Sequence, residues 1–176
     1  MKNILFLTLT LVGLTSCSSI RVSSDFDKAG SFSTYKTYAF TPEAKNLPLD
    51  DINRGRVLDA VSVQLAAKGF TASDKPDVLI DVRIKANQVQ TATASTDYYG
   101  AGYRYRWGGG FSSTTINYDS YVEGTLFIDM IDAAKKHLVW QGRGTGTIDP
   151  DLSPQKREQN INYAVKQIFV KYPPRF

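Results

Sequence analysis

Between residues 77 and 89 the chain alternates, with Val78, Ile80, Val82 and Ile84 on one side of an extended backbone and Asp81, Arg83 and Lys85 on the other. A two-residue period is the mark of a β-strand with one buried and one wet face, so a second layer must cover the apolar side. Val122, Leu126, Ile128 and Met130 repeat the pattern in a strand over residues 121–131, where Phe127 and Ile131 make the opposite face partly apolar too. A strand apolar on both sides belongs in the middle of a sheet. Consecutive strands usually lie side by side, and residues 91–118 hold too many Gly, Ser and Thr for a crossover helix, so these two strands are expected to pair antiparallel.

Two segments have the right period for the covering layer. Over residues 51–68, Val57, Leu58, Val61 and Leu65 fall at helical spacing, with Asp50 or Asp51 as cap and Gly69 as stop. Ser153 and Pro154 read as N-cap and first helical residue of a second helix, whose apolar stripe is Ile161, Ala164, Val165, Ile168, Phe169 and Tyr172, and which Pro173 and Pro174 end. Shorter strands are expected over residues 20–25, 35–40 and 137–142. Pro42 and Pro48 bracket a loop, residues 133–136 make a hairpin turn, and a Gly- and Thr-rich stretch runs to Ile148. This order predicts an α+β fold: a mostly antiparallel sheet of about five strands with two amphipathic helices packed on one face.

The amino terminus carries an address. Lys2 is followed by an apolar stretch over residues 4–14 and then by Leu14-Thr15-Ser16-Cys17, which is similar to a bacterial lipobox at the end of a secretory signal. Residues 1–16 are expected to be removed and Cys17 to carry the lipid, which consumes the chain's one thiol. Residues 17–34 then form a lipidated tether with one short strand, and residues 35–176 a single α+β domain. Several acyl chains hold a protein at a membrane essentially permanently. By resemblance to sorting rules, Ser18 in place of an aspartate favours the outer membrane, facing the periplasm. With 42% hydrophobic and 22% charged residues the chain is globular in composition, and loss of Lys2 leaves 20 basic against 17 acidic groups, a net charge of +3. So mild a charge, in a protein outside the cytoplasm, argues against a nucleic-acid partner.

Further motifs arrive in a recognisable order: the Asp-Phe-Asp of residues 25–27, the run Phe32-Ser33-Thr34-Tyr35-Lys36-Thr37-Tyr38-Ala39-Phe40, then Lys68-Gly69-Phe70, Glu123-Gly124-Thr125-Leu126, Trp140-Gln141-Gly142 and the Tyr172-Pro173-Pro174 ending. With the lipobox, they resemble the bacterial lipoprotein family called domain of unknown function four-one-three-six, over nearly the whole mature chain. Phe40 stands where such sequences often have Trp. The resemblance implies an envelope lipoprotein with no established activity, and no catalytic residue is carried over.

Four groups of residues could carry chemistry. The aromatic and basic segment Tyr98, Tyr99, Tyr103, Arg104, Tyr105, Arg106 and Trp107, set among glycines, either contacts a partner or a glycan through its ring faces and guanidinium groups or packs upon itself as a hairpin tip. Asp25 and Asp27 would share a face about 7 Å apart if extended, but a spacing so common by chance points instead to turn and edge-strand solvation. Glu123 and Asp129 share a strand face about 20 Å apart, too far for an acid and base pair. His137, beside Lys135 and Lys136 at a turn, reads as solvated, and Trp140 as a packing residue.

With one histidine and no Gly-x-Ser-x-Gly elbow, the sequence singles out no catalytic residues, no metal site and no cofactor motif. The expected function is a non-enzymatic module, anchored at the membrane by lipid, that holds another envelope protein or a glycan such as peptidoglycan. The alternative is an envelope hydrolase acting on a glycan or an ester.

Overall fold

The alternation read over residues 77–89 belongs to a much longer strand. A computed structural model describes residues 20–99 and 111–174, with side chains over 20–96 and 114–174. Its elements in chain order are β1 (Arg21–Phe26), β2 (Thr37–Phe40), α1 (Pro42–Lys45), α2 (Asp51–Ala67), β3 (Thr71–Ala72), β4 (Val78–Tyr99), β5 (Phe111–Asp132), β6 (His137–Ile148) and α3 (Pro154–Phe169). Residues 1–16, where a signal segment is expected, Cys17, Tyr103, Arg104, Tyr105, Arg106 and Trp107 lie outside the described residues, and only the backbone of Tyr98 and Tyr99 is described, paired with Ser112 and Phe111 at the end of β4.

The strands form one sheet in the order β1-β6-β5-β4-β2-β3. As expected, β4 and β5 pair antiparallel, in unbroken register from Val78 opposite Asp132 to Tyr99 opposite Phe111. Two expectations need correction. The sheet has six strands and is mixed, because β2 lies parallel to both β3 and β4. A parallel neighbour needs a crossover connection, and the helical segment between β2 and β4 supplies it. The stretch between Pro42 and Pro48 is also more than a loop. Thr41 accepts a hydrogen bond from the Ala44 N–H, Pro42 takes the first turn, and the short helix α1 results.

Both long helices cover the face that carries Val78, Ile80 and Val82 of β4, Ile128 and Met130 of β5, and Trp140 of β6. α2 contributes Val57, Ala60, Val61 and Leu65, and Asp50 caps it by accepting from the Asn53 N–H. Just beyond its end Gly69 takes φ of +85°, a left-handed conformation that a side chain would strain. α3 contributes Val165, Ile168 and Phe169, and Tyr172 follows it into the core. The aromatic centre is Trp140, whose ring lies 5.9 Å from Phe169 and edge-on to Tyr172 at 5.3 Å.

The glycines of β6 explain how α3 sits so close. A Cβ on Gly142 would overlap Ile168 Cγ2 and the Trp140 ring, so this stretch of the strand forms the floor beneath the helix. Beyond Val122, which is opposite Ile148, β6 ends and neither long helix follows, so β4 and β5 run on as a two-stranded arm to Tyr99 and Phe111.

Candidate functional site

Strand alternation places Asp81, Arg83 and Lys85 of β4 on the face that no helix covers. The register brings them beside Asp129, Phe127 and Thr125 of β5 and then Gln141, Arg143 and Thr145 of β6, with Asp25, Ser23 and Arg21 of β1 at the edge. The result is a four-strand platform in crosswise rows: Asp81, Asp129, Gln141 and Asp25; then Arg83, Phe127, Arg143 and Ser23; then Lys85, Thr125, Thr145 and Arg21.

The acidic row is satisfied internally. Asp81 and Asp129 face each other across the β4 and β5 pair, an unfavourable placement for like charges. Arg83 resolves it by pairing with Asp129 through Nη2 and approaching Asp81 through Nε at 3.4 Å. The Thr41 hydroxyl donates to Asp81 at 2.8 Å, and the Gln141 amide donates to Asp129 at 2.8 Å. These bonds are what let Asp129 lie buried.

The middle row is a stack of cation, ring and cation. The Arg83 guanidinium carbon lies 5.5 Å from the Phe127 ring centre and that of Arg143 lies 5.9 Å from it, so both cations are drawn to the ring. Arg143 also donates from Nε to the Ser23 hydroxyl at 3.2 Å. Among the described residues neither Arg143 nor Lys85 has a carboxylate partner. Arg21, in contrast, is paired with Glu123. Lys85 and Arg143 stand on either side of β5, about 12 Å apart between backbones, beside the hydroxyls of Thr125 and Thr145, which bond each other at 3.1 Å, while Asp25 at the edge is a carboxylate with no cation partner among the described residues.

Of the other residues singled out in the sequence, Asp25 and Asp27 both border a concavity of about 270 Å³ beside Leu138, Val139 and Gln141. They do not act as a pair there, because each carboxylate has its own partners. Asp25 accepts from the Phe26 N–H, and Asp27 accepts from the Ala29 N–H and bonds His137 Nε2 at 3.0 Å. The Ala29 amide first, and His137 second, hold the Asp27 carboxyl below its ordinary range. His137 keeps 41% of its side chain exposed, as expected of a residue at a turn, and gains in addition this partner remote in sequence. Glu123 and Asp129 stay six residues apart on one face, and Trp140 is a core residue with no exposed surface. The Arg83, Phe127 and Arg143 row was missed in the sequence, although the odd positions of β4 and β6 already carried its charge and Phe127 of β5 its ring.

An α+β domain with helices on one sheet face and a charged, uncovered platform on the other is the class that the fold and this face define. The model of the family described as Domain of unknown function (DUF4136) matches residues 22–174, and the chain belongs to that family. No curated protein matches. Among solved structures, the chain is similar to a PDZ domain protein from Parabacteroides distasonis, at 16% identity and a TM-score of 0.49, over 89% of this chain and 37% of that one. The chain thus spans little more than a third of that protein. It is also similar to the PelC dodecamer from Paraburkholderia phytofirmans, at 11% identity and a TM-score of 0.45, over 90% of this chain and 100% of that one.

Proposed function

We propose that this protein is a lipid-anchored module of the bacterial envelope, without chemistry of its own, that holds a partner across the open face of its sheet. The observation that carries this reading is the charge state of the platform. Its carboxylates Asp81 and Asp129 are taken up by Arg83, Thr41 and Gln141, while Lys85, and Arg143 over the half-buried Phe127 ring, have no carboxylate partner among the described residues. Such cations beside an aromatic and two hydroxyls suit a polar polymer that bears carboxylates. A glycan of the peptidoglycan type fits, and an acidic segment of another envelope protein is the second occupant of the same kind.

The mature protein, mixed with purified peptidoglycan sacculi and sedimented, is expected to co-sediment, and the Lys85→Ala, Arg143→Ala double variant to stay in the supernatant with its melting temperature unchanged. A photo-crosslinking residue at Thr125 in cells separates the partners, since adducts would appear in either the sacculus or the protein fraction. Equal sedimentation of both proteins, with no Thr125 adduct, would sink the reading. The alternative of an envelope hydrolase has the Asp27 and His137 pair in its favour. Turnover of a glycan or ester that is lost in His137→Ala would establish it.

A further inference from the structure

The arm formed by β4 and β5 beyond Gln88 and Val122 has two unlike faces. On the side that lower down meets the helices, it presents an apolar patch of Ala92, Ala94, Ile116 and Tyr118, set between the polar rows Gln90 with Ser120 and Thr96 with Thr114. These large residues are bare, Ile116 at 52% and Tyr118 at 72% exposed. The reverse side carries Val89 and Tyr121 at its base and, opposite the patch, only Thr91, Thr93, Ser95, Thr115, Asn117 and Asp119. A two-stranded ribbon is marginal in water, and this one bears a bare apolar patch past the end of its helical cover.

The topology states what lies at that end. β1 is antiparallel to β6, and Arg21 sits opposite Thr145, which in turn sits opposite Thr125 and Lys85. The chain before Arg21 therefore leaves the sheet on the same side from which the arm projects. We propose that the apolar side of the arm lies on the surface of the lipid bilayer that holds the amino terminus, an inference that rests on the anchoring of Cys17 in the function proposed above. Arg21 lies four residue steps beyond Cys17, a span of about 14 Å at most. From the level of Arg21 to its end at Tyr99 the arm extends about 46 Å. It outreaches the anchor by about 30 Å, so an arm directed toward a bilayer that holds Cys17 must either enter the membrane or lie along it. Entry is barred because the outer edges of an isolated ribbon carry unpaired N–H and C=O groups that hydrocarbon cannot satisfy. An amphipathic ribbon laid flat, apolar side down, satisfies both constraints. It also turns the Lys85 and Arg143 platform away from the lipid.

Adjacent residues on opposite faces test this. The mature lipoprotein carrying Ile116→Cys or Asn117→Cys, each labelled with an environment-sensitive fluorophore, is reconstituted on vesicles of phosphatidylethanolamine and phosphatidylglycerol that contain a nitroxide-bearing lipid. Quenching several-fold stronger at position 116 than at 117 is expected. Vesicles that carry the protein but quench the two positions equally would overturn the inference and leave the anchor intact. Failure of the protein to float with vesicles would overturn the anchor and the inference with it. Shielding of position 116 in the absence of vesicles, reversed by dilution, would assign the strip to a second copy of the chain instead of lipid.

Discussion

Asp77 and Thr37 clasp each other at the point where β2 enters the sheet. The Thr37 N–H and hydroxyl both donate to Asp77 Oδ2 at 2.9 Å, while the Asp77 N–H donates to the Thr37 carbonyl at 3.1 Å and to its hydroxyl at 2.9 Å. The Lys36 N–H adds a further bond to the same carboxylate oxygen at 2.8 Å. β2 pairs directly with only three residues of β4, so this clasp carries much of the parallel junction.

The Lys36 amide foremost, then Thr37, depress the Asp77 carboxyl below its ordinary value of 3.8. Asp132 is depressed as well, first by the Lys135 amide and also by the Tyr35 hydroxyl. A carboxyl lowered in the folded state contributes stability above its unfolded value and loses it as pH falls through the folded value. Urea midpoints are therefore expected to be flat above about pH 5 and to fall below about pH 4. Asp77→Ala should lower the neutral-pH midpoint, Asp77→Asn should lower it less, and both should flatten the acid limb.

The closeness of α3 to β6 predicts an ordered pair of effects. In Gly142→Ala the new methyl collides with Ile168 Cγ2 and the fixed Trp140 ring, whereas in Gly144→Ala it meets chiefly the end of the Ile168 side chain, at 2.9 Å. Loss of about 1–3 kcal/mol is expected for Gly142→Ala and less for Gly144→Ala. Thermal or denaturant unfolding measures the difference, and an equal loss would show that α3 shifts freely.

Arg83→Ala is expected to destabilise the fold by about 1–3 kcal/mol, because it leaves Asp81 opposite the buried Asp129 with no cation between them. Adding Asp129→Asn should recover part of that loss by removing one of the two charges. A double-mutant cycle reads the coupling directly. Recovery near zero would mean that the carboxylates are held apart by Thr41 and Gln141 alone.

On the arm, Ile116→Ser with Tyr118→Ser should change stability in solution by less than about 0.5 kcal/mol, since both side chains are largely exposed there. Chemical denaturation without lipid checks this. A large loss would mean that the arm is packed against something within the fold.

Local pattern alone determined the long strands, the two main helices and which face of each is apolar, because a two- or 3.6-residue period and caps such as Asp50 and Ser153 act over a few residues. The family resemblance was equally plain in the order of short motifs. Tertiary structure decided everything that depends on pairing at a distance. It placed β2 parallel to β4 through the Asp77 and Thr37 clasp, brought Asp27 to His137 across 110 residues, and set Arg83 and Arg143 on either side of Phe127. It also carried β4 and β5 through a polar, threonine-rich stretch where hydrophobic alternation fades, because an antiparallel ladder once in register continues on backbone hydrogen bonds that no side-chain pattern announces.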